Sequence, residues 1–287
     1  MTNDIKEISI EDKDFPISLK KIKNPPKKLF FRGKFSKEEK TFAIVGTRRH
    51  SLYGKYVASQ ITSDLVKAGL TIISGLAPGI DTIVHKTTLE ENGRTIAVLG
   101  TGIDNESIYP QRNISLVNEI IKKGGAIISE YPPGTRGTKF TFPQRNRIIA
   151  GLSMGVLVIE APEKSGALIT ARFAKEQGKF VFAIPGNINS LTSKGCNKLI
   201  QEGAFLVTKS EDILAKLGIN IKKEEKKLIG KNEEENKILR LLEKRPLYID
   251  EIIEKTKIPS QKIIIILSQM ELEGKIRNLG QNIFSLK

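Results

Sequence analysis

Cysteine and histidine are almost absent from this sequence. Its 287 residues contain one cysteine, Cys196, two histidines, His50 and His85, and no tryptophan. A single cysteine excludes an internal disulfide, and no zinc-ligand spacing occurs. We therefore expect no metal site. Cys196 is interpreted as a small buried hydrophobe, and His85 as a packing or surface residue rather than a catalyst.

Long apolar runs are also missing. No stretch reaches the roughly 18 consecutive apolar residues that a membrane-spanning helix needs. The first residues, MTNDIKEISIEDKD, lack the apolar segment of a signal peptide. These absences predict a cytoplasmic protein with no membrane association.

The motifs of nucleotide-dependent enzymes are incomplete. Residues 46–55 lack the GxxxxGK[ST] spacing of a phosphate-binding loop. GTGID, from Gly100, has two glycines of a dinucleotide fingerprint without the third, and no GxSxG elbow is present. The sequence predicts no nucleotide hydrolysis, no cofactor and no catalytic residue.

Acidic residues are too few to balance the basic ones. There are 47 Lys and Arg against 32 Asp and Glu, which gives a net charge of +15. Residues 1–230 hold 36 of the basic and 23 of the acidic residues, whereas residues 231–287 are nearly neutral. A polyanionic partner is favoured for the larger part of the chain and not for its tail. A lysine-rich surface with no partner is the alternative.

Short apolar runs alternate with helix-period segments from residue 41 onward. Continuous apolar runs between helices are typical of parallel strands that are covered on both faces. The pattern predicts an α/β fold with a mostly parallel sheet. The predicted strands are 42–46, 70–74, 95–99, 126–129, 155–159, 180–184 and 204–207.

Glycine-rich turns follow several of these strands. Such a sheet binds ligands beyond the carboxyl ends of its strands. Gly46 and Thr47 follow the first strand and lead to Arg48 and Arg49, while the second strand leads toward Asp81 at the start of a helix. Backbone N–H groups and helix N-termini in such turns attract anions. The turns together outline one groove.

The strongest functional signal is KFTFPQRNRIIAGLS, which begins at Lys139. Lys139, Arg145 and Arg147 flank two aromatic rings, Phe140 and Phe142, which we place ahead of a helix. Cations beside exposed rings suit a ligand with phosphates and flat bases, which is single-stranded nucleic acid. Phe142 is interpreted as the exposed ring because its neighbours are basic. Phe140 could equally belong to the core.

The N-terminal residues 1–40 are polar and lysine-rich. Pro25 and Pro26 disfavour a helix there. We expect an extended lead-in that packs on the edge of the large domain, 41–219.

The C-terminal part begins with a charged linker, predicted at 220–235. Residues 236–287 show three helical patterns and a hairpin around Gly280, the outline of a winged helix. The run from Ile263 to Leu267 would be its buried helix, with a strand as the alternative. Near-neutral charge favours a protein-contact or structural role for this domain over DNA reading.

Seven ordered motifs resemble the DNA-processing protein A (DprA/Smf) family. They are VGTRR from Val45, ISGLAPGID from Ile73, AVLGTGID from Ala97, FPQRNRIIAGLS from Phe142, SGALITARFAKEQGK from Ser165, AIPGNI from Ala183 and GCNKLIQEGA from Gly195. Their order across nearly the whole large domain makes the resemblance far more specific than any single motif. One departure is His50, where a proline often follows the arginine pair.

The resemblance implies an extended Rossmann-like, doubly wound domain that binds single-stranded DNA without hydrolysing nucleotide. It also implies a homodimer that loads the recombinase RecA onto incoming DNA during natural transformation. By motif, Arg48 and Lys139 are the expected phosphate-binding cations and Phe142 the stacking ring. The other residues expected in or near the pocket are Arg49, Arg145, Asn146, Gly46, Thr47, Ser74, Gly75, Gly166 and Thr170.

Two other functions remain open. One is a nucleotide phosphoribohydrolase of the Rossmann-like lysine-decarboxylase-like group, whose PGGxGT motif is faintly similar to PPGTRGT at Pro132. That group continues with a catalytic acidic residue, whereas Lys139 and Phe140 follow here. The other is a regulator that reads duplex DNA with the winged helix.

Overall fold

The computed structural model describes residues 4–36, 39–219, 230–243, 245–280 and 282–286. These residues form two compact units that divide between residues 221 and 222. The larger unit is a doubly wound α/β sheet and the smaller one a winged helix, so the predicted fold class is confirmed.

The described residues of the larger unit form nine strands and eight helices. The strands are β1 (Lys6–Ser9), β2 (Lys28–Gly33), β3 (Thr41–Val45), β4 (Thr71–Ser74), β5 (Thr95–Leu99), β6 (Ala126–Ser129), β7 (Gly155–Val158), β8 (Phe180–Ala183) and β9 (Phe205–Leu206). The helices are α1 (Ile17–Lys20), α2 (Leu52–Lys67), α3 (Ile80–Glu90), α4 (Ile114–Lys122), α5 (Thr141–Leu152), α6 (Gly166–Glu176), α7 (Lys194–Gln201) and α8 (Ser210–Lys216). A short 3-10 turn, Gln111–Asn113, precedes α4. All seven predicted strands are present, with bounds that differ by at most one residue.

The strand order is β1-β2-β6-β5-β4-β3-β7-β8-β9. The seven strands from β3 to β9 are parallel to one another. From β3, in the middle of the sheet, the chain moves outward through β4 and β5 to β6. It then returns and places β7 on the other side of β3. This reversal opens a crevice beyond the carboxyl ends of β3 and β7, where doubly wound sheets bind ligands.

Both faces of the sheet are covered because successive side chains of a strand point to opposite sides. On β3, Phe42 and Ile44 pack with residues of α2, α3 and α8, whereas Ala43 and Val45 pack with residues of α5, α6 and α7. This double burial is why the strand sequences are apolar throughout.

The lead-in is more ordered than an extended segment. β1 pairs with β2, and β2 pairs with β6, both antiparallel, so the lead-in adds two strands to one edge of the sheet. Pro25 and Pro26 lie between α1 and β2.

The smaller unit has the element order of a winged helix. Its elements are α9 (Glu233–Leu242), β10 (Leu247–Tyr248), α10 (Ile249–Thr256), α11 (Ser260–Leu272), β11 (Ile276–Asn278) and β12 (Ile283–Leu286). β11 and β12 form the predicted hairpin, with Gly280 in its turn. The run from Ile263 to Leu267 is helical, but Ile264 and Ile265 are exposed, so only part of it is buried.

The predicted linker 220–235 extends too far into the helical region. Helix α9 begins at Glu233, because Asn232 caps it by accepting a hydrogen bond from Glu235 N at 2.8 Å. Acidic residues in a first helical turn are stabilised by the helix dipole. Residues 220–229 of the predicted linker lie outside the described residues. Among the described residues, no helix is both long and apolar enough to cross a membrane.

His85 on α3 predicts a specific pH dependence of stability. Its ring is fully buried, with Nδ1 2.7 Å from Thr95 Oγ1. Burial lowers the pKa of His85 to about 3, compared with about 6.5 in an unfolded chain. Between these values the unfolded state binds one more proton, so the free energy of unfolding should fall by up to about 1.4 kcal/mol per unit of decreasing pH.

Urea unfolding from pH 6.5 to pH 4 measures this dependence. The His85→Gln variant should have a shallower slope, because glutamine does not titrate. His50→Gln is the matched control, since His50 is exposed. Equal slopes for the parent and His85→Gln would contradict the prediction.

Candidate functional site

A cleft of about 1070 Å³ lies where the strand order reverses. Its lining comes from the turns after β3 and β4, the start of α5 and the N-terminus of α6. Of the expected site residues, those that line it are Gly46, Thr47, Arg48, Arg49, Lys139, Phe142, Arg145, Asn146, Gly166 and Thr170. Sequence motifs that lie more than 100 residues apart therefore meet at one place.

The turn after β3 presents two exposed arginines. Thr47 N donates to the Glu160 carbonyl at 2.7 Å, and Thr47 Oγ1 accepts from Arg49 N at 3.2 Å. Arg48 and Arg49 are exposed, and within the described ranges neither has a carboxylate partner. The turn thus holds two uncompensated positive charges at the cleft.

Gly46 allows this turn to pack closely against α3. A Cβ atom at Gly46 would lie 2.7 Å from the side chain of Ile80, which is shorter than any ordinary contact. The absence of a side chain at this position is therefore a packing requirement of the turn.

A buried carboxylate fixes the far end of the same turn. Glu160 follows β7 and is almost fully buried. Its Oε2 accepts from Ser51 N at 2.9 Å, and its Oε1 accepts from Ser51 Oγ at 2.7 Å and from Thr192 Oγ1 at 2.9 Å. Ser51 Oγ in turn caps α2 by accepting from Gly54 N at 3.0 Å. The arginine turn is consequently held at both ends, and sequence reasoning did not identify Glu160.

The aromatic segment differs from its predicted form. Helix α5 begins at Thr141, so Phe142 and Pro143 belong to its first turn and are not ahead of it. Pro143 is compatible with this position because the first-turn N–H groups of a helix have no intrahelical partner. Phe140 is 69% exposed and is therefore not a core residue, whereas Phe142 is half-buried.

The surroundings of Phe142 connect it with the arginine turn. The Arg48 guanidinium lies over the Phe142 ring, 5.8 Å from its centroid. A Cβ atom at Gly137 would lie 2.5 Å from Phe142 Cζ, so the backbone passes directly along the ring. The exposed Lys139 amine is 5.1 Å from the centroid of the Phe140 ring. Cations and rings thus occur together, as the sequence predicted.

Arg145 has a different place from the one expected of a DNA contact. Only 5% of it is exposed, and Nη1 donates to the Gly75 carbonyl at 2.7 Å and also to the Val98 carbonyl. Burial lowers the pKa of Arg145 to about 10, which still leaves it charged at neutral pH. We assign it to holding the turn after β4, because its donors are directed at backbone carbonyls.

Asp81 supports that turn from its other side. Asp81 Oδ2 accepts from Gly75 N at 3.1 Å and from Ala77 N at 3.4 Å. Burial raises the pKa of the Asp81 carboxyl, while Arg145 and the two N–H groups oppose the rise. Ser74 is also buried and donates to the Ile44 carbonyl at 2.7 Å. Ser74 and Gly75 therefore shape the floor and do not line the cleft.

Asn146 connects α5 with the N-terminus of α6. Its Oδ1 accepts from Arg145 Nε at 3.1 Å, and its Nδ2 donates to the Gly166 carbonyl at 3.2 Å. Gly166 is exposed at the cleft, whereas Thr170 is buried. Arg147 pairs with Glu130 instead of facing the cleft. Three polar residues that were expected in the pocket, Ser74, Arg145 and Asn146, thus have hydrogen-bond partners within the protein.

No group of three or more His, Cys, Asp or Glu in the described part of the chain could hold a metal ion. Cys196 is buried, and burial raises its thiol pKa to about 12. The packing interpretation of Cys196 is confirmed. The cleft offers cations, aromatic rings and backbone N–H groups, which are the features for binding an anionic ligand with flat groups.

Comparison with known families agrees with these motifs. The family model described as DNA recombination-mediator protein A matches residues 6–218. The chain belongs to this family. A second model, described as DprA winged helix domain, matches residues 222–282.

Curated DprA proteins are similar over most of the chain. The DNA processing protein DprA of Streptococcus pneumoniae is 46% identical over 212 residues, which are 72% of each chain. DprA of Bacillus subtilis is 43% identical over 215 residues, covering 74% of this chain and 71% of that protein. Protein Smf of Synechocystis is 46% identical over 213 residues, and there the match spans 53% of the relative.

Two solved DprA structures have the same fold as the larger unit. The X-ray structure of Streptococcus pneumoniae DprA has a TM-score of 0.68 at 43% identity and covers 74% of both chains. DprA from Helicobacter pylori has a TM-score of 0.66 at 31% identity and covers 74% of this chain and 95% of that one. The second structure is described as giving insights into a unique single-stranded DNA binding mode. The DprA/Smf resemblance is therefore confirmed.

Proposed function

We propose that this DprA family member binds single-stranded DNA in the cleft, independently of sequence. The observation that carries the proposal is the grouping of Arg48, Arg49 and Lys139, all exposed, with the Phe142 ring in one cleft. Cations contact phosphates, and base stacking on a ring tolerates every sequence because each base has a π-face. The net positive charge of the larger unit and the single-stranded DNA binding mode described for Helicobacter pylori DprA support the same ligand.

Fluorescence anisotropy with a labelled oligo-dT and a duplex of equal length tests this proposal. The full chain should bind the single strand at least tenfold more tightly at about 0.1 M salt, and mixed sequences should bind similarly. In duplex DNA the bases are already paired and stacked on one another, so they cannot stack on the aromatic rings of the cleft. Equal affinity for both DNAs would argue against the cleft as the binding site and favour duplex binding by the winged helix.

We also propose that the bound strand is delivered to RecA during natural transformation, and that the protein acts as a homodimer without catalysis. Family membership supports recombination mediation, and the resemblance of the motifs supports the finer role. RecA assembly on DNA already covered by a single-strand-binding protein should be faster when this protein is added.

Sedimentation equilibrium measures whether the protein is a dimer. Release of free base from nucleoside monophosphates at enzymatic rates would favour the phosphoribohydrolase instead.

A further inference from the structure

Tyr109 is an exposed aromatic ring at the cleft that lies outside every motif of the DprA/Smf resemblance. It lies in the loop between β5 and the 3-10 turn and lines the cleft together with Phe142. The residue is 49% exposed, although its neighbour Ile108 is fully buried. Its ring is therefore accessible to a ligand in the cleft.

The loop that carries Tyr109 is held firmly on both sides. Before it, Asp104 Oδ2 accepts from Ser107 N at 3.2 Å and from Ser107 Oγ at 2.8 Å. After it, Asn113 Nδ2 donates to the Leu76 carbonyl and to Thr82 Oγ1, both at 2.9 Å. The position of the ring is therefore preorganised, which reduces the entropy lost when a ligand stacks on it.

Phe142 connects Tyr109 with the cationic turn. The centroids of the Tyr109 and Phe142 rings are 5.7 Å apart with an interplanar angle of 50°. The Arg48 guanidinium covers Phe142 from 5.8 Å, and the backbone at Gly137 touches the ring as well. Phe142 is half-buried and contacts both of these neighbours. Tyr109 is the outer ring of this group.

Phe140 is a weaker candidate for the same role. It is more exposed than Tyr109, but it does not line the cleft, and its ring already contacts the Lys139 amine. Tyr109 combines exposure, a fixed position and a place in the cleft beside Phe142, the ring that the Arg48 guanidinium covers.

We propose that Tyr109 is a second base-stacking residue, which receives a nucleobase of a strand whose phosphate is bound by Arg48. The inference rests on the proposed single-stranded DNA binding and adds a subsite to it. Base stacking on an aromatic ring requires the ring and not the hydroxyl group. Phenylalanine at this position should therefore bind DNA as well as tyrosine does.

The absence of tryptophan from the chain allows a direct test. The Tyr109→Trp variant contains a single indole, whose fluorescence a stacked base quenches. Titration with oligo-dT should give saturable quenching with the same midpoint as the anisotropy curve. An oligonucleotide of equal length with abasic sites should bind more weakly and should not quench. Phe180→Trp is the control, since Phe180 is 40% exposed in the same unit but does not line the cleft.

Affinity measurements give a second, independent readout. Tyr109→Ala should weaken binding roughly tenfold with an unchanged salt dependence, and Tyr109→Phe should stay within about twofold of the parent. If Tyr109→Trp binds DNA without quenching of its indole, the proposal is overturned. Weak binding by Tyr109→Ala would not rescue it, because the loss of packing around Phe142 would also weaken binding. Failure of the parent protein to bind oligo-dT would instead refute the proposed function itself.

Discussion

Replacement of both Arg48 and Lys139 by alanine is expected to weaken single-stranded DNA binding by at least about 100-fold near 0.1 M salt. A hydrogen bond to a charged group contributes about 1.5–3 kcal/mol, so the loss of two phosphate contacts is sufficient for this effect. Both side chains are exposed and have no carboxylate partner among the described residues, so their removal should leave stability almost unchanged.

The salt dependence separates phosphate contacts from other causes of weak binding. Each phosphate neutralised on a single strand contributes about −0.7 to the slope of log K against log salt. The double variant should therefore lose about 1.4 from the magnitude of that slope. Phe142→Ala should reduce affinity with little change of slope, because a ring releases no counterions.

The matched control removes the same net charge from a different surface. Lys27 and Lys122 are exposed, lie before β2 and on α4, and do not line the cleft. Their double replacement by alanine should reduce affinity only slightly, through the long-range field. Full binding by the Arg48/Lys139 variant, or an equal loss in the control, would disprove the assignment of the cleft.

The sequence predicted the fold best where a residue pattern has a single structural cause. Continuous apolar runs predicted the parallel strands, because burial on both faces leaves no polar positions. The antiparallel pairing of β2 with β6 was not predictable in this way. The two strands are about 100 residues apart in the sequence, and the residue pattern of β2 does not indicate which strand it pairs with.

The site was less predictable because charge alone does not reveal exposure. Arg145 and Asn146 were expected at the DNA surface, since a basic stretch is usually solvated. Both are buried in the structure, where backbone carbonyls in the turn after β4, on β5 and on α6 accept hydrogen bonds from their donors. Such partners come from distant segments, so neither burial nor Tyr109's position beside Phe142 can be seen in the motif itself.

Replacement of Arg145 by leucine is the prediction with the largest effect on stability. Asp81 would remain buried without its neighbouring cation, and the Gly75 and Val98 carbonyls would lose their donor. A buried acceptor that loses its donor typically costs about 1–3 kcal/mol, and two such carbonyls are affected here. Urea unfolding should show a loss of this size, whereas Arg172→Leu should change stability by less than about 0.5 kcal/mol because that ion pair is exposed.

Two further measurements separate this structural role from DNA contact. Removal of the cation should raise the pKa of Asp81 further above its unfolded value. A group with a raised native pKa stabilises the folded state at low pH, and this contribution is lost as the pH rises. The difference in unfolding free energy between Arg145→Leu and the parent should therefore be smaller at pH 5 than at pH 8. The folded variant should also keep the parent's salt slope for oligo-dT. A stable Arg145→Leu protein whose slope falls by about 0.7 would show that Arg145 binds a phosphate directly, because a buried support releases no counterions.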